Sequence, residues 1–309
     1  MIRRMGQVHE LLASRGRQAA LESGLERGIV ETAEAYLSNE EGGTNFLYSG
    51  WCQTALPHKR TQDDEIWRVD SGPISLIIQP GIEVIGEQTV PIGVPFGSRA
   101  RLILLYLQTT ALKTGSREIE LGKSLRQWLG RMGIKAVGGK AIDGVREQAL
   151  RIGTCNITFY FTAGQKKGFV RQPIVEAGMF EESDSPRPRF LEAVKLGENF
   201  FEQLRKHPVP VEDAAIQAIN NNSQALDIYV WLAYRLHSLK EPTPLSWRAA
   251  KGQFGQGVAE LRKFKQTFKK SLELALAVYP AAKVDLVDDG LRLYPSRPPV
   301  ASKLIAVGA

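Results

Sequence analysis

Cysteine and histidine are scarce in this chain of 309 residues, which has two cysteines, Cys52 and Cys155, and four histidines, His9, His58, His207 and His237. Two thiols cannot build a disulfide framework, and histidines so far apart offer neither a four-ligand zinc set nor a paired metal-binding spacing. Reduced thiols, a cytosolic location and no metal are therefore expected. Long apolar runs are missing too. The most apolar stretch, Leu102 to Leu107, falls far short of the roughly 20 residues that cross a bilayer. The residues after Arg3 and Arg4 are broken by His9, Glu10, Arg15 and Arg17, which leaves no signal-peptide core. A catalytic constellation is also lacking. Tyr106, Tyr229 and Tyr234 sit in apolar helical patterns and read as core. The glycine segment from Gly133 to Ala141 lacks the Lys and Ser/Thr placement of a phosphate loop. Binding without catalysis or cofactor is the expectation.

What is present is an ordinary globular composition, 43% hydrophobic and 24% charged, at a length that suggests two domains. Lys and Arg number 40 against 33 Asp and Glu, a net charge of +7. An excess of that size suggests a polyanionic partner only if it is concentrated.

The pattern along the chain predicts an α+β architecture of tandem winged-helix units with a small β-rich segment before the first. Residues 1–45 read as a polar, partly helical lead, expected to be a mobile arm, in which acids (Glu10, Glu22, Glu26, Glu31, Glu34, Glu40, Glu41) outnumber bases (Arg3, Arg4, Arg15, Arg17, Arg27). From Phe46 to Pro95 short β-type runs follow, notably Ile74 to Gln79. The first unit, 46–182, then shows a Leu-rich helix from Arg99 to Lys113 and a short strand from Arg117 to Leu121. A second helix follows, with Leu125, Trp128, Leu129 and Met132 at helical spacing. A third runs from about Lys140 to Ile152, and a hairpin is formed by Asn156 to Phe161 and Phe169 to Ile174. Helix, strand, helix, helix, hairpin is the winged-helix order. A Pro-rich, charged junction from Ser183 to Arg189 precedes a second unit, 190–299, with the same order. Its parts are a helix from Gln224 to Leu239, a strand from Thr243 to Leu245, a helix capped by Ser246, a helix from Val258 to Tyr279, and a hairpin turning at Asp289-Gly290. Residues 300–309 form a tail.

The excess charge gathers on the last helix. At 100° per residue Leu261, Phe264, Phe268 and Leu272 share one face, while Arg262, Lys263, Lys265, Lys269 and Lys270 occupy the rest. Over 248–270 those five bases join Arg248 and Lys251 against a single acid, Glu260, a net of +6. Most charge runs are solvated faces of mixed sign. Here the signs are not mixed, and the position is that of a recognition helix, so DNA contact is expected. Arg262 is the candidate for base reading because guanidinium forks onto a guanine edge, and the lysines are candidates for the phosphate backbone. A weaker patch in the first unit comprises Lys123, Arg126, Arg131, Lys135, Lys140, Arg146 and Arg151, diluted by Asp143 and Glu147, with Lys166 and Lys167 at the hairpin tip where a wing could enter a minor groove.

The stretches WCQTALPHKR (51–60), GVPFGSRARLILLYLQTTALKTGSREIELGKSLRQWLGRMG (93–133), REQALR (146–151), HPVPVEDAAIQAI (207–219) and ALDIYVWLAYRLHSL (225–239) resemble the plasmid-encoded RepA replication initiators of Gram-negative bacteria, over roughly Trp51 to Pro299. The resemblance implies a cytoplasmic bacterial protein that binds short direct repeats (iterons) in double-stranded origin DNA. It further implies opening of adjacent A·T-rich DNA, loading of the host helicase with host initiator, and exchange between a homodimer and a monomer. It fixes the apolar supports Leu226, Tyr229, Trp231 and Tyr234 better than any base contact. The rival reading is a winged-helix transcriptional repressor without initiator activity, and a nickase or primase is a more distant one.

Overall fold

The structure, a computed structural model, describes residues 3–4, 7–39, 42–72, 74–121, 130, 134, 139–163, 166–180 and 191–301. The chain forms two compact units, one of residues 46–208 and one of residues 1–45 together with 209–309. Elements are numbered in chain order. They begin with β1 (Arg3–Arg4), α1 (Val8–Glu22) and α2 (Arg27–Leu37) of the C-terminal unit.

The first unit opens with β2 (Thr44–Tyr48), α3 (Ser49–Gln53), β3 (Trp67–Ser71), β4 (Ile74–Gln79), and the hairpin β5 (Gly81–Ile85) and β6 (Gln88–Gly93). The support helix α4 (Gly97–Thr114) follows, then β7 (Glu118–Glu120), α5 (Gly139–Thr154), and the long wing strands β8 (Asn156–Ala163) and β9 (Lys166–Pro173). The expected second helix, with Leu125, Trp128, Leu129 and Met132, lies outside the described residues. An antiparallel sheet runs β3-β4-β8-β9. Its inner face is Val69, Leu76, Ile78, Ile157 and Phe159, all buried, as the period-two alternation of strands requires. Two buried polar side chains of α4 satisfy the backbone of β2, since Phe46 N–H donates to Thr109 Oγ1 at 2.9 Å and Tyr48 N–H to Gln108 Oε1 at 2.8 Å.

The boundary between the units differs from the sequence expectation. After the Pro-rich run, β11 (Leu191–Leu196) pairs with both β10 (Val175–Phe180) and β7, and α6 (Glu198–Lys206) follows it, all within the first unit. The chain passes to the C-terminal unit near residue 208 instead of at 183–189.

The C-terminal unit continues with β12 (Pro208–Glu212), α7 (Asp213–Ala218) and α8 (Ser223–Arg235), whose residues 225–233 are all buried. Asn222 caps α8 by accepting from Ala225 N–H at 2.9 Å. Then come β13 (Thr243–Ser246), α9 (Trp247–Phe254), α10 (Leu261–Ala277), β14 (Val284–Val287) and β15 (Gly290–Leu293). The sheet order is β1-β14-β15-β13, which completes a winged helix. The wing turn is Asp288-Asp289, one residue earlier than expected, and Gly290 opens the returning strand. A Cβ there would lie 1.9 Å from the Leu245 carbonyl oxygen, so only glycine fits.

The helical character expected over 1–45 is present, but the mobile arm is not: two helices pack against the rest of the C-terminal unit. Val8, Ala20, Ile29, Val30 and Ala33 of α1 and α2 cluster with Ala277 of α10, with Leu11, Leu12, Leu21, Leu25 and Leu274 packed around them. Burying that apolar stripe outweighs the acidity of the other faces, which remain in solvent.

Candidate nucleic-acid interface

The helix pair α9–α10 is built from the inside outward. Ser246 caps α9, its Oγ accepting from Ala249 N–H at 3.2 Å. Trp247 is tied to the wing turn twice, by its backbone N–H to Asp289 O at 2.9 Å and by its indole N–H to Asp288 O at 3.0 Å. Beneath α10, Phe268 meets Phe264, Phe254 and Trp247 at ring separations of 5.2, 5.5 and 6.1 Å, and Phe254 meets Trp231 of α8 at 5.3 Å. This aromatic seam fixes which side of α10 faces outward.

Four of the five cations on α10 have intramolecular company, of two kinds. Lys263 Nζ pairs with Glu260 at 2.8 Å and Lys270 Nζ with Glu26 at 2.9 Å, both at the surface. Exposed pairs contribute little and exchange readily for another anion. Lys265 and Lys269 instead lie over the one Trp247 ring, 5.2 and 5.7 Å from its centroid. Their stems are half-buried on the indole and their like charges converge there. Among the described residues, no carboxylate pairs with either. Arg262, Arg248 and Lys251 likewise have no ion-pair partner among the described residues, and both arginines are exposed.

Two sequence expectations for this unit need correction. Leu261, grouped with the buried face, is 41% exposed, because it is the first residue of α10 and the core begins one turn later with Phe264. Trp247 was not singled out at all. Its place between a capping Ser246 and Arg248, one short helix before a lysine cluster, was the available signal.

The first unit uses its cations otherwise. Arg151, expected on a DNA-facing side of α5, is internal, its side chain only 3% exposed. Its Nη2 donates to Asp63 at 3.0 Å and Glu147 at 2.9 Å, its Nη1 to the Val94 carbonyl at 3.1 Å, and its guanidinium lies 5.2 Å from the Phe96 ring centroid. Buried in this way, the guanidinium is out of reach of DNA, although its Nε has no hydrogen-bond partner among the described residues. Arg60 reinforces the cluster, and its hydrogen bond, followed by that of Arg151, holds the Asp63 carboxyl below the usual carboxylate range. Arg146 is half-buried, and its Nε has no hydrogen-bond partner among the described residues. The side chains of Lys140, Lys123, Arg126, Arg131 and Lys135, and most of the glycine segment from 133, lie outside the described residues. Lys166 and Lys167 are exposed on the wing, whose strands run two (β8) and three (β9) residues further towards the tip than expected.

Among the described residues, no group of three His, Cys, Asp or Glu could hold a metal, and no helix is long and apolar enough to cross a membrane.

A family model described as plasmid encoded RepA protein matches residues 94–248, half of the chain, and ends at the start of α9, so that α10 lies beyond it. No curated protein matches. Among solved structures, a selenomethionine crystal structure of domains 2 and 3 of RctB aligns with a TM-score of 0.54 at 12% identity, covering 82% of this chain and 99% of that one. A second structure of RctB domains 2–3 aligns with a TM-score of 0.46 at 11% identity, covering 78% and 93%. At 12% identity the first likeness bears on the fold.

Proposed function

Since the chain belongs to the plasmid-encoded RepA protein family, we propose that it initiates plasmid replication by gripping repeated double-stranded origin DNA through its winged-helix units. The observation that carries this reading is the outward face of α10, where cations stand over an aromatic seam in the recognition-helix position. The first turn of that helix enters the major groove, with Arg262 forked onto a guanine edge and exposed Leu261 against a thymine methyl. Lys265 and Lys269, converging on Trp247, take a phosphate between them. Lys263 and Lys270 exchange Glu260 and Glu26 for phosphates. The acidic, exposed wing turn Asp288-Asp289 is repelled by the backbone, so the C-terminal unit reads with its helix. In the first unit the exposed Lys166 and Lys167 make the wing the contacting element.

The reading extends to the steps the family resemblance implies, namely opening of adjacent A·T-rich DNA, recruitment of host helicase and initiator, and exchange between dimer and monomer, in the bacterial cytoplasm. The protein acts by binding alone and breaks no covalent bond.

The test is the salt dependence of affinity for a duplex from the plasmid's own origin. With six to ten phosphates neutralised, affinity drops by on the order of 10³ to 10⁵ between about 50 and 200 mM salt. Lys265→Ala with Lys269→Ala flattens that slope, and an unchanged slope removes α10 from the interface. Persistence of a plasmid that carries only this gene and its origin separates an initiator from a repressor with the same fold.

A further inference from the structure

The inner face of the β3-β4-β8-β9 sheet is core, but its outer face holds two large aromatics in solvent. Across the sheet the register sets Asp70, Ser75, Tyr160 and Phe169 in one row and Arg68, Ile77, Thr158 and Arg171 in the next. Tyr160 is 44% and Phe169 64% exposed, and their rings are neighbours at 5.8 Å. A third exposed aromatic of the wing, Phe161, has a different explanation. It projects from the opposite face and lies across Gly168, where a Cβ would come within 2.5 Å of its ring, so it fills the space a side chain would have taken.

Nothing of that kind accounts for Tyr160 and Phe169. Their surroundings are cationic. Arg68 is neutralised by Asp70 at 3.0 Å, whereas Lys167 and Arg171, two residues either side of Phe169 on β9, add positive charge with no carboxylate partner among the described residues. Arg171 makes one neutral hydrogen bond, to Gln79 at 3.3 Å. Two aromatic faces side by side on a sheet, flanked by cations, match the faces of unstacked bases and the phosphates that join them. A duplex hides those base faces. A second copy using the same face would set the surplus cations against their own counterparts.

We propose that the outer face of this sheet is a platform for single-stranded DNA, with Tyr160 and Phe169 stacking on successive bases and Lys167 and Arg171 holding the intervening phosphates. The site is separate from α10 and shares only Lys167 with the wing contact proposed for duplex DNA, and it rests on the proposed function only for its setting, the strand exposed when duplex beside the repeats opens.

The full-length chain is tested against three probes: a labelled strand of about a dozen thymidines, a strand of equal length whose deoxyriboses carry no bases, and a duplex with the origin repeats. The thymidine strand binds at least about tenfold more tightly than the abasic one, because stacking needs bases while charge does not. Tyr160→Ala with Phe169→Ala abolishes that difference and leaves duplex affinity within about twofold, whereas Arg262→Ala weakens the duplex and spares the strand. Should the double variant fold poorly, Phe169→Trp gives a direct signal, indole emission quenched by the thymidine strand and not by the abasic one. Equal affinity for the two strands, or a Phe169→Trp emission indifferent to bases, overturns the proposal. So does a double variant that dissociates a dimer in sedimentation while still preferring thymidine. Loss of duplex binding in the wild-type protein would count against the origin-binding reading and leave this one standing.

Discussion

In α5 of the first unit Arg151 turns inward to Asp63, Glu147 and the Val94 carbonyl. In α10 of the C-terminal unit Arg262 stands in solvent with no described partner, and Lys265 and Lys269 lie over a tryptophan. The two helices hold the same place in the same winged-helix order, yet one spends its arginine on internal cohesion and the other keeps its cations outward. What decides is how each helix is attached. A seam of Phe254, Phe264 and Phe268 holds α10 by apolar packing, which leaves its cations outside the core, Arg262 with no ion pair and the lysines in exposed pairs or over Trp247. Between α5 and the 55–65 loop the attachment is ionic, and it consumes the cation.

The comparison breaks if the attachments are not as different as they look. Phe268→Ala has the largest expected effect, a loss of about 3–5 kcal/mol in the C-terminal unit, read by chemical denaturation with a probe in each unit. The first unit keeps its own transition. Arg151→Met comes next, at about 2–3 kcal/mol and confined to the first unit, since it leaves the Val94 carbonyl without this donor and leaves Asp63 and Glu147 to Arg60 alone, while roughly conserving volume. Its pH dependence is diagnostic. Asp63 has a depressed folded-state pKa, so its contribution is present above the ordinary carboxylate range and is lost as pH falls through the folded value. Wild-type stability therefore declines on acidification more steeply than that of Arg151→Met. Arg262→Ala is smaller and of another kind. It costs about 1–3 kcal/mol of discrimination at one base pair and leaves both unfolding transitions where they were. A shift in melting would mean that this arginine, like Arg151, belongs to the fold.

How far these roles could be read in advance follows from how local each signal is. Ser246 as a cap, and Phe264, Phe268 and Leu272 as a buried stripe, are fixed by neighbours within eight residues, and the periodicity exposes them. Ile74 to Gln79 as a strand is equally local. Arg151 shows the limit. Its pairing with Glu147 is an i, i+4 contact visible in the chain, but Asp63 and the Val94 carbonyl lie 88 and 57 residues away, and only the fold brings them in. The helices α1 and α2 were obscured differently. Leu11, Leu12, Ile29, Val30 and Ala33 have helical spacing, but the seven acids of residues 1–45 make a mobile arm look natural. Leu261 belongs to the apolar stripe by angle and escapes burial only because α10 starts there. The outer sheet face was hidden by composition, since Ile157, Phe159 and Phe161 alternate with Tyr160 along β8, and which face meets solvent depends on what packs beneath.

The smallest effect concerns the grip of the N-terminal helices on α10. His9 Nε2 lies 3.2 Å from the Leu276 carbonyl, so that nitrogen carries the proton and donates, while Nδ1 is buried with no partner among the described residues. Burial disfavours the imidazolium and lowers the His9 pKa from its ordinary value, and the backbone hydrogen bonds at Leu276 and Ala277 oppose this only in part. For a group depressed in the folded state, the stabilisation is complete above the ordinary histidine range and is lost as pH falls through the folded value. Amide exchange in α2 should then speed up modestly between pH of about 7 and about 5.5, with exchange in α8 unchanged. His9→Gln keeps the donor and cannot titrate, so its α2 should be indifferent to the same change. If α2 of that variant loosens as much as the wild type, the sensitivity lies in another contact, and the exposed Glu26–Lys270 pair is the next to remove.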